Sequence, residues 1–495
     1  MDFRQHIEEI IAKASGFASK ASISTSTGIV AYDLEPLLKQ VYPVLSPFRN
    51  KYLPRRNSMK GGTSFNAKLL TSVSAVSGGI GVVEGKRGRD IGVTEVDVNV
   101  SYRTVGQDVS TTFEGEDAAE SFDDARAVAQ VSMLNSNLIE EEILVLFGNG
   151  GNIMRAGSSA QTALGTTPTP VLTNNGGGAG TVPAATYLCF CVALTYQGNR
   201  NSSVAAGLPG QLTVTTNDGY SQVINGGNAA VSAQSNAITL AAPGSLAATV
   251  AAVRGAFAYA WYVGTSKAAA TLAAITPVNK VVITAAPAGT QTANDTKVAT
   301  DYSLDGYVYD GLITQCAQSS STAYCVSLDG ANLTSNGAAG VNELDAALED
   351  MYARYKLDPD VVLIDAGTAV SINKKVIAGG GAPLFRFNMD AKSSAVDIVG
   401  NATVGSYINP VTKKLIKLEV HPWFPQGTIF GFSTSLPYTT PNVPVPFRLQ
   451  TRSRDWTEYD WPVTTRTRGR GQYVSAAVMN YVPWSQFLIT NVGQG

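Results

Sequence analysis

At 495 residues with a formal net charge of −2, the chain is long enough for two or three domains, yet it lacks the basic excess of a tight nucleic-acid binder. Charged residues are only 15% and apolar residues 44%, a balance that suits large subunit contacts or an uncharged β-rich protein. No basic start leads into an apolar core, and no window of about 18 apolar residues occurs, so neither a signal peptide nor a membrane-spanning helix is predicted.

Residues 1–58 read as a lead-in with little core of its own. MDFRQHIEEIIAKASGFASK predicts an amphipathic helix with Phe3, Ile7, Ile10 and Ile11 on one side. A Ser/Thr-rich stretch and the proline-interrupted LEPLLKQVYPVLSPFRNKYLPRR follow. Residues 59–107 alternate as strands do. TSFNAKLL and VTEVDVNVSYRTVG place Val96, Val98, Val100 and Tyr102 on one side, with Glu95, Asp97 and Asn99 on the other. The glycine-rich SGGIGVVEGKRGRDIG between them predicts the tip of an extended hairpin; an ordinary edge hairpin is the plainer alternative.

The next 36 or so residues, about 112–147, predict a long helix of roughly 50 Å at ~1.5 Å per residue. Thr111 and Glu114 form a potential capping box, and Glu116, Asp117 and Glu120 complement the positive helix end. Phe122, Ala125, Ala129, Met133, Ile139 and Ile143 recur near helical spacing, and GNGG at Gly148 ends the run. A pair of helices broken near Asn135 would fit the same pattern.

From about 156 to 304 charges nearly vanish and Ala, Thr, Gly, Ser and Asn dominate. ATYLCFCVALTY, GQLTVTT, NAITLAA, AFAYAWYVGT and NKVVITAA predict a β-sandwich of about seven strands. Phe257, Tyr259, Trp261 and Tyr262 supply a core that a disordered low-complexity segment would lack. Residues 305–427 return to mixed α/β. VNELDAALEDMYARYKL predicts a helix with Leu344, Ala347, Leu348, Met351 and Tyr355 on one face, followed by the buried strand PDVVLIDAG. Residues 428–495 are strand-rich and close on an apolar strand.

Catalytic chemistry is sparse. His6 and His421 are the two histidines, and neither sits in a nucleophile context. There is no GxxxxGK[ST] loop and no HExxH, and GGGAG at Gly176 to Gly180 reads as a linker. Cys189 and Cys191 share one strand face in an apolar run and, with Cys316 and Cys325, predict free thiols rather than a zinc site. Asp455, Glu458 and Asp460 beside Trp456 and Trp461 evoke a sugar-cleaving cleft, but their alternation with arginines predicts ion-paired strands. Glu140, Glu141 and Glu142 predict a solvated or intersubunit face. Arg448, Arg452, Arg454, Arg466, Arg468 and Arg470 often lie two apart, which suits contact with acidic neighbours, with enclosed DNA, or with solvent alone. No catalytic, cofactor or metal site is expected.

The order of these segments resembles the Hong Kong 97-type major capsid protein of tailed bacteriophages. The resemblance rests on PLLKQVYPVLSPFRNKYLPRR, the hairpin with EGKRGRD at its tip, the helix ending in EEEILVLFGNG, then DGLITQ, ALEDMYARYKLDPDVVLIDAG and YVPWSQFLITNV. It implies an α+β fold with an N-terminal arm (1–58), an extended loop (59–107), a spine helix and first part of a peripheral domain (108–155), an axial domain (305–427), the second peripheral part (428–475) and a returning axial strand (476–495). DGLITQ would be the strand after the spine helix. Residues 156–304 would be an inserted immunoglobulin- or fibronectin-like sandwich, a kind of module that commonly faces outward in this family. The implied function is a shell of hexamers and pentamers around double-stranded DNA in the virion, assembled in the host cytoplasm. A separate scaffolding protein, a portal and a decoration protein would be partners, and DNA contact would be non-specific, with no membrane. Lys86, Arg87, Arg89, Glu140, Glu141, Arg452, Arg454, Arg466 and Arg468 are the expected subunit contacts. Lys68 and Lys86 lie in the loop without a matching asparagine, so no crosslink is carried over. An encapsulin-like compartment shares the implied fold, and a β-rich surface or adhesion protein is a third reading.

Overall fold

The computed structural model describes residues 45–58, 61–73, 81–88, 92–119, 124–151, 153–155, 163–176, 180–378, 386–388, 397–399, 405–437, 443, 445–463 and 465–493. The amphipathic helix expected near the N-terminus lies outside the described residues. The described chain begins with α1 (Pro47–Lys51) and β1 (Arg55–Asn57). Proline suits the first turn of α1, where a missing N–H breaks no intrahelical bond. Phe48 is fully buried and packs on Tyr52, Phe432 and Phe447.

β2 (Ser64–Val73) and β3 (Val93–Ser101) pair antiparallel from Ser64↔Ser101 to Val73↔Val93, giving the expected hairpin. Period-two alternation sends Val98 and Val100 into the core and leaves Glu95 and Asp97 facing Lys68. The run beyond Val93 is two strands rather than one. It breaks at Tyr102, and β4 (Arg103–Thr112) leaves the hairpin for another sheet.

The long helix is likewise two elements, α2 (Phe113–Ala119) and α3 (Ala125–Phe147). Asp124 is itself extended, at φ −80 and ψ 95, and its Oδ1 accepts from the N–H groups of Arg126 and Ala127 at 3.0 and 3.1 Å. That carboxylate starts a new helix, and α3 runs unbroken through Asn135, spanning about 34 Å. The Thr111–Glu114 capping box does not form, because Thr111 still belongs to β4. Thr112 Oγ1 accepts instead from Gly115 N–H, and Thr111 donates to Glu116. β5 (Ile153–Arg155) then adds to the outer edge of β3.

Residues 163–303 form two sheets over a shared core. The strands are β6 (Val171–Asn174) and β7 (Thr186–Leu194), then after the short α4 (Tyr196–Asn201) come β8 (Gln211–Thr215) and β9 (Ser221–Asn225). β10 (Ile238–Thr239), β11 (Leu246–Thr249), β12 (Ala258–Gly264), β13 (Thr271–Thr276) and β14 (Lys280–Ile283) follow, and α5 (Thr296–Ala299) closes the unit. The sheet orders are β10-β7-β12-β13 and β14-β11-β6, with β8–β9 a separate ribbon. Cys189, Cys191, Tyr259 and Trp261 of the first sheet meet Leu172, Leu246, Val281 and Ile283 of the second. The opposite side of β7 and β12 is buried too, through Phe190, Val192 and Tyr262 against Leu208 and Val298. A strand with both faces covered reads as a continuous apolar run, which is why LCFCVAL lacks alternation.

The remainder contains α6 (Leu312–Ala317), β15 (Tyr324–Ser327), α7 (Asn342–Tyr355), β16 (Val361–Ile364) and α8 (Ala366–Ala378). A small hairpin of β17 (Arg386–Asn388) and β18 (Asp397–Val399) precedes β19 (Ser406–Ile408), β20 (Leu415–Val420) and β21 (Ile429–Phe432). The chain ends with β22 (Phe447–Thr451), β23 (Thr457–Asp460), β24 (Thr467–Asn480) and β25 (Gln486–Thr490). DGLITQ is therefore helical at α6, not a strand; a short apolar run buried on every side carries no periodicity to distinguish the two. The face expected for α7 is the observed one, with Leu344, Ala347, Leu348 and Met351 buried.

A six-stranded sheet runs in the order β15-β25-β21-β16-β20-β19, so the last strand of the chain lies within it. It also takes β21, which lies beyond the 427 boundary drawn from sequence. A five-stranded sheet follows the order β1-β22-β24-β23, with β4 along the other side of β24. β24 runs on to Asn480, past the expected boundary at 475. Asn137 of α3 donates to Gln472 Oε1 at 3.1 Å, fixing that helix to the five-stranded sheet.

Candidate assembly interface

The β2–β3 hairpin is half committed to its own chain. Phe65, Ala67, Leu69 and Val96 pack on the core that contains Val98, Val100 and α7, so its base does not wait for a neighbour to gain burial. The outer half differs. Leu70 is 59% exposed, and Val82 and Val83 at the tip are 54% and 75% exposed. The Lys86 N–H donates to Val83 O at 3.0 Å, closing a turn in which Gly85 takes φ +76, a conformation glycine adopts without Cβ strain. Lys86 and Arg87 are exposed beside it. Arg89 lies outside the described residues. The result is an apolar, basic tip.

Segment 45–57 is held by a buried ionic cluster. Glu142 accepts from the N–H groups of Phe48 and Arg49, each at 2.7 Å, and its Oε1 lies 2.7 Å from His421 Nε2. The neighbouring Glu141 accepts from Arg49 Nε at 2.5 Å, Arg55 Nη1 at 2.7 Å and Trp456 Nε1 at 3.1 Å. Arg55 also grips Asp455. Burial works against the Arg55 charge, but Asp455 and Glu141 outweigh it and hold its pKa above the ordinary value. Glu141 and Glu142 thus contradict the solvated or intersubunit face expected for them; they are sealed inside the chain. Arg49, Arg55, Asp455 and His421 were not singled out as their partners. The signal was present in EEEILVLF, because a helix end that is apolar all round must be buried, and its carboxylates with it.

Glu140 lies apart from this cluster and pairs with Arg200 through two bonds of 2.9 and 2.5 Å. Arg466 meets Glu114 at 2.8 Å, and Arg468 meets Glu116 at 3.3 Å while lying over the Phe113 ring. These three expected contact residues, Glu140, Arg466 and Arg468, therefore already have oppositely charged partners within the chain. Arg448 is buried over the rings of Phe65 and Tyr481, and burial lowers its pKa. Arg452 and Arg454 are exposed after β22.

The carboxylates that evoked a sugar site are dispersed among structural bonds. Asp455 binds Arg55, Glu458 accepts from Gln472 Nε2 and Asp460 pairs with Arg470. Cys189 and Cys191 are buried and Cys325 is half-buried; all four cysteines are free thiols. Among the described residues no group of three or more His, Cys, Asp or Glu could hold a metal ion, and no described helix is long and apolar enough to cross a membrane.

No family model matches the chain, and no curated protein matches it. Among solved structures it is similar to the capsid of the Myoviridae phage XM1, at 8% identity and a TM-score of 0.39 over 96% of this chain and 100% of that one. A structure from Mycobacterium phage Bobi gives 10% identity and a TM-score of 0.41 over 95% and 99%. The holo-SrpI encapsulin complex from Synechococcus elongatus PCC 7942 gives 8% and 0.38 over 96% of each chain. With identities and TM-scores this low, the functional reading stands on the chain's own geometry.

Proposed function

We propose that this chain is the major shell subunit of a tailed-phage head, self-assembling as hexamers and pentamers around packaged double-stranded DNA. The observation that carries the reading is the β2–β3 hairpin, anchored in the core at its base and presenting Leu70, Val82 and Val83 to solvent at its outer end. An exposed apolar tip on a long ribbon gains burial when it lies on another copy. Repetition of that contact around a closed shell multiplies its effect. The threaded segment 45–57 serves as the end of an arm, α3 as the spine, and the five- and six-stranded sheets as the peripheral and axial parts. Residues 156–304 are then an inserted immunoglobulin-like module. The near-neutral charge suits non-specific enclosure of DNA. A separate scaffolding protein, a portal and a decoration protein are the partners this role calls for.

Electron microscopy of the purified chain, with ultracentrifugation across concentration, tests the reading. Closed shells, hexamers or pentamers are the expected species. A monomer that stays monomeric at high concentration, with or without a coexpressed scaffold, overturns it. Nucleic acid recovered from shells formed in infected cells separates a phage head from a compartment that encloses protein.

A further inference from the structure

We infer that the two-sheet unit of residues 163–303 is a brace that ties α3 to the region around α6 and β15, rather than a module hung freely on its two linkers. The inference is independent of shell assembly. The unit's first and last described residues lie side by side, Leu164 N–H donating to Ser303 Oγ at 2.9 Å and Gly165 N–H to Asp301 Oδ2 at 2.7 Å, and the same end is tied to the body where Asn149 Nδ2 donates to Ser303 O at 2.9 Å. A unit attached only there would swing about one joint. Two further feet oppose that motion.

The first foot stands on the C-terminal half of α3. Arg200 forms its paired bonds to Glu140, the Tyr196 ring stacks on Phe147 at 4.2 Å, and Phe257 meets the same ring edge-on at 5.4 Å. The second foot stands beyond α6 and β15. Arg254 Nη1 donates to Gln318 O at 3.3 Å, and Asn279 Nδ2 donates to Asp329 Oδ1 at 2.9 Å. The Lys280 stem lies so close to Gly330 that a Cβ there would come within 2.6 Å of its Cε. Stacked aromatics and a paired guanidinium restrict rotation as well as distance.

A brace transmits the loss of one foot to the other, whereas independent contacts do not. The test uses the full chain with Arg200→Ala, Arg254→Ala and the double variant, followed by hydrogen exchange and thermal unfolding. Arg200→Ala should raise exchange across 312–327 about tenfold, although it touches no residue there. The double variant should lower the melting temperature by clearly less than the sum of the single shifts, since either cut already frees the unit. Arg200→Lys and Arg254→Lys, which keep a donor at each foot, guard against a variant that merely misfolds and should restore part of the protection. Exchange confined to each mutated foot, with additive thermal shifts, overturns the brace.

Discussion

His421 Nε2 lies 2.7 Å from Glu142 Oε1, with both side chains buried. His421 Nδ1 accepts from Trp423 N–H at 3.3 Å, so the ring proton sits on Nε2 and is donated to the carboxylate. The same carboxylate holds two backbone N–H groups of α1. A glutamine side chain in its place keeps one acceptor and turns an NH2 group toward donors that already need an oxygen. Glu142→Gln should therefore cost about 3 kcal/mol of unfolding free energy, read from urea denaturation. Limited proteolysis should then cut within 45–57, where the parent resists. A variant as stable and as resistant as the parent would show that the clamp does not hold the segment.

Acid should release a different pair of ties. Burial pushes the Asp360 carboxyl up, but Lys414 and Thr434 outweigh it and leave its pKa below the ordinary 3.8. Burial likewise pushes Glu419 up, while Lys417, Tyr52 and Lys51 bring it below 4.5. Because both folded values are depressed, the stability they contribute is fully present above the unfolded values. It is lost as pH falls through the folded ones. Lys414→Met should lower stability at neutral pH and flatten its decline below about pH 4. An acid limb of unchanged slope in that variant would remove Asp360 from the explanation.

Elements with a clean period were legible in the sequence. Val98 and Val100 alternate with polar neighbours, and Leu344, Leu348 and Met351 mark one helical face, and each falls where its period places it. The misreadings cluster where burial is complete and periodicity vanishes. Leu312 to Ala317 is buried throughout, so helix and strand look alike. Glu141 and Glu142 read as surface because their compensation comes from Arg49, Arg55 and His421, which are 86 to 279 positions away in sequence. Long-range charge pairing leaves no local trace. The continuous strand through Tyr102 was misread for a related reason, since alternation persists while the strand changes sheets.

Thiol reactivity reports on the two-sheet core. Burial pushes the Cys189 thiol up to about 12, and burial reinforced by Cys189 raises Cys191 well above its ordinary value. At pH 8 the thiolate fraction of Cys189 is about three orders of magnitude below that of a free thiol. Cys325 is half-buried; burial raises its pKa while Arg254 opposes the rise. Alkylation of the native chain followed by peptide mass spectrometry should label Cys325 first and leave Cys189 and Cys191 unmodified until denaturant is added. Equal labelling of all three would mean that the facing sheets open readily.

The hairpin tip separates folding from assembly. Val82 and Val83 are exposed in the single chain, so replacing both with serine should change its unfolding free energy by no more than about 0.5 kcal/mol. If the tip is buried on a neighbouring copy, the loss of two valine side chains weakens each contact by about 2 kcal/mol, roughly thirtyfold in its equilibrium constant. Each subunit of a shell makes that contact once and receives it once, so the weakening recurs at every position. Light scattering should show the assembly threshold rising sharply in the Val82→Ser, Val83→Ser variant while urea curves overlay the parent. Reversing Lys86 and Arg87 to glutamate should act in the same direction, more strongly at low salt than at high salt, because exposed charges are screened. Shells that form at the parental concentration in both variants would place the subunit contacts elsewhere on the molecule.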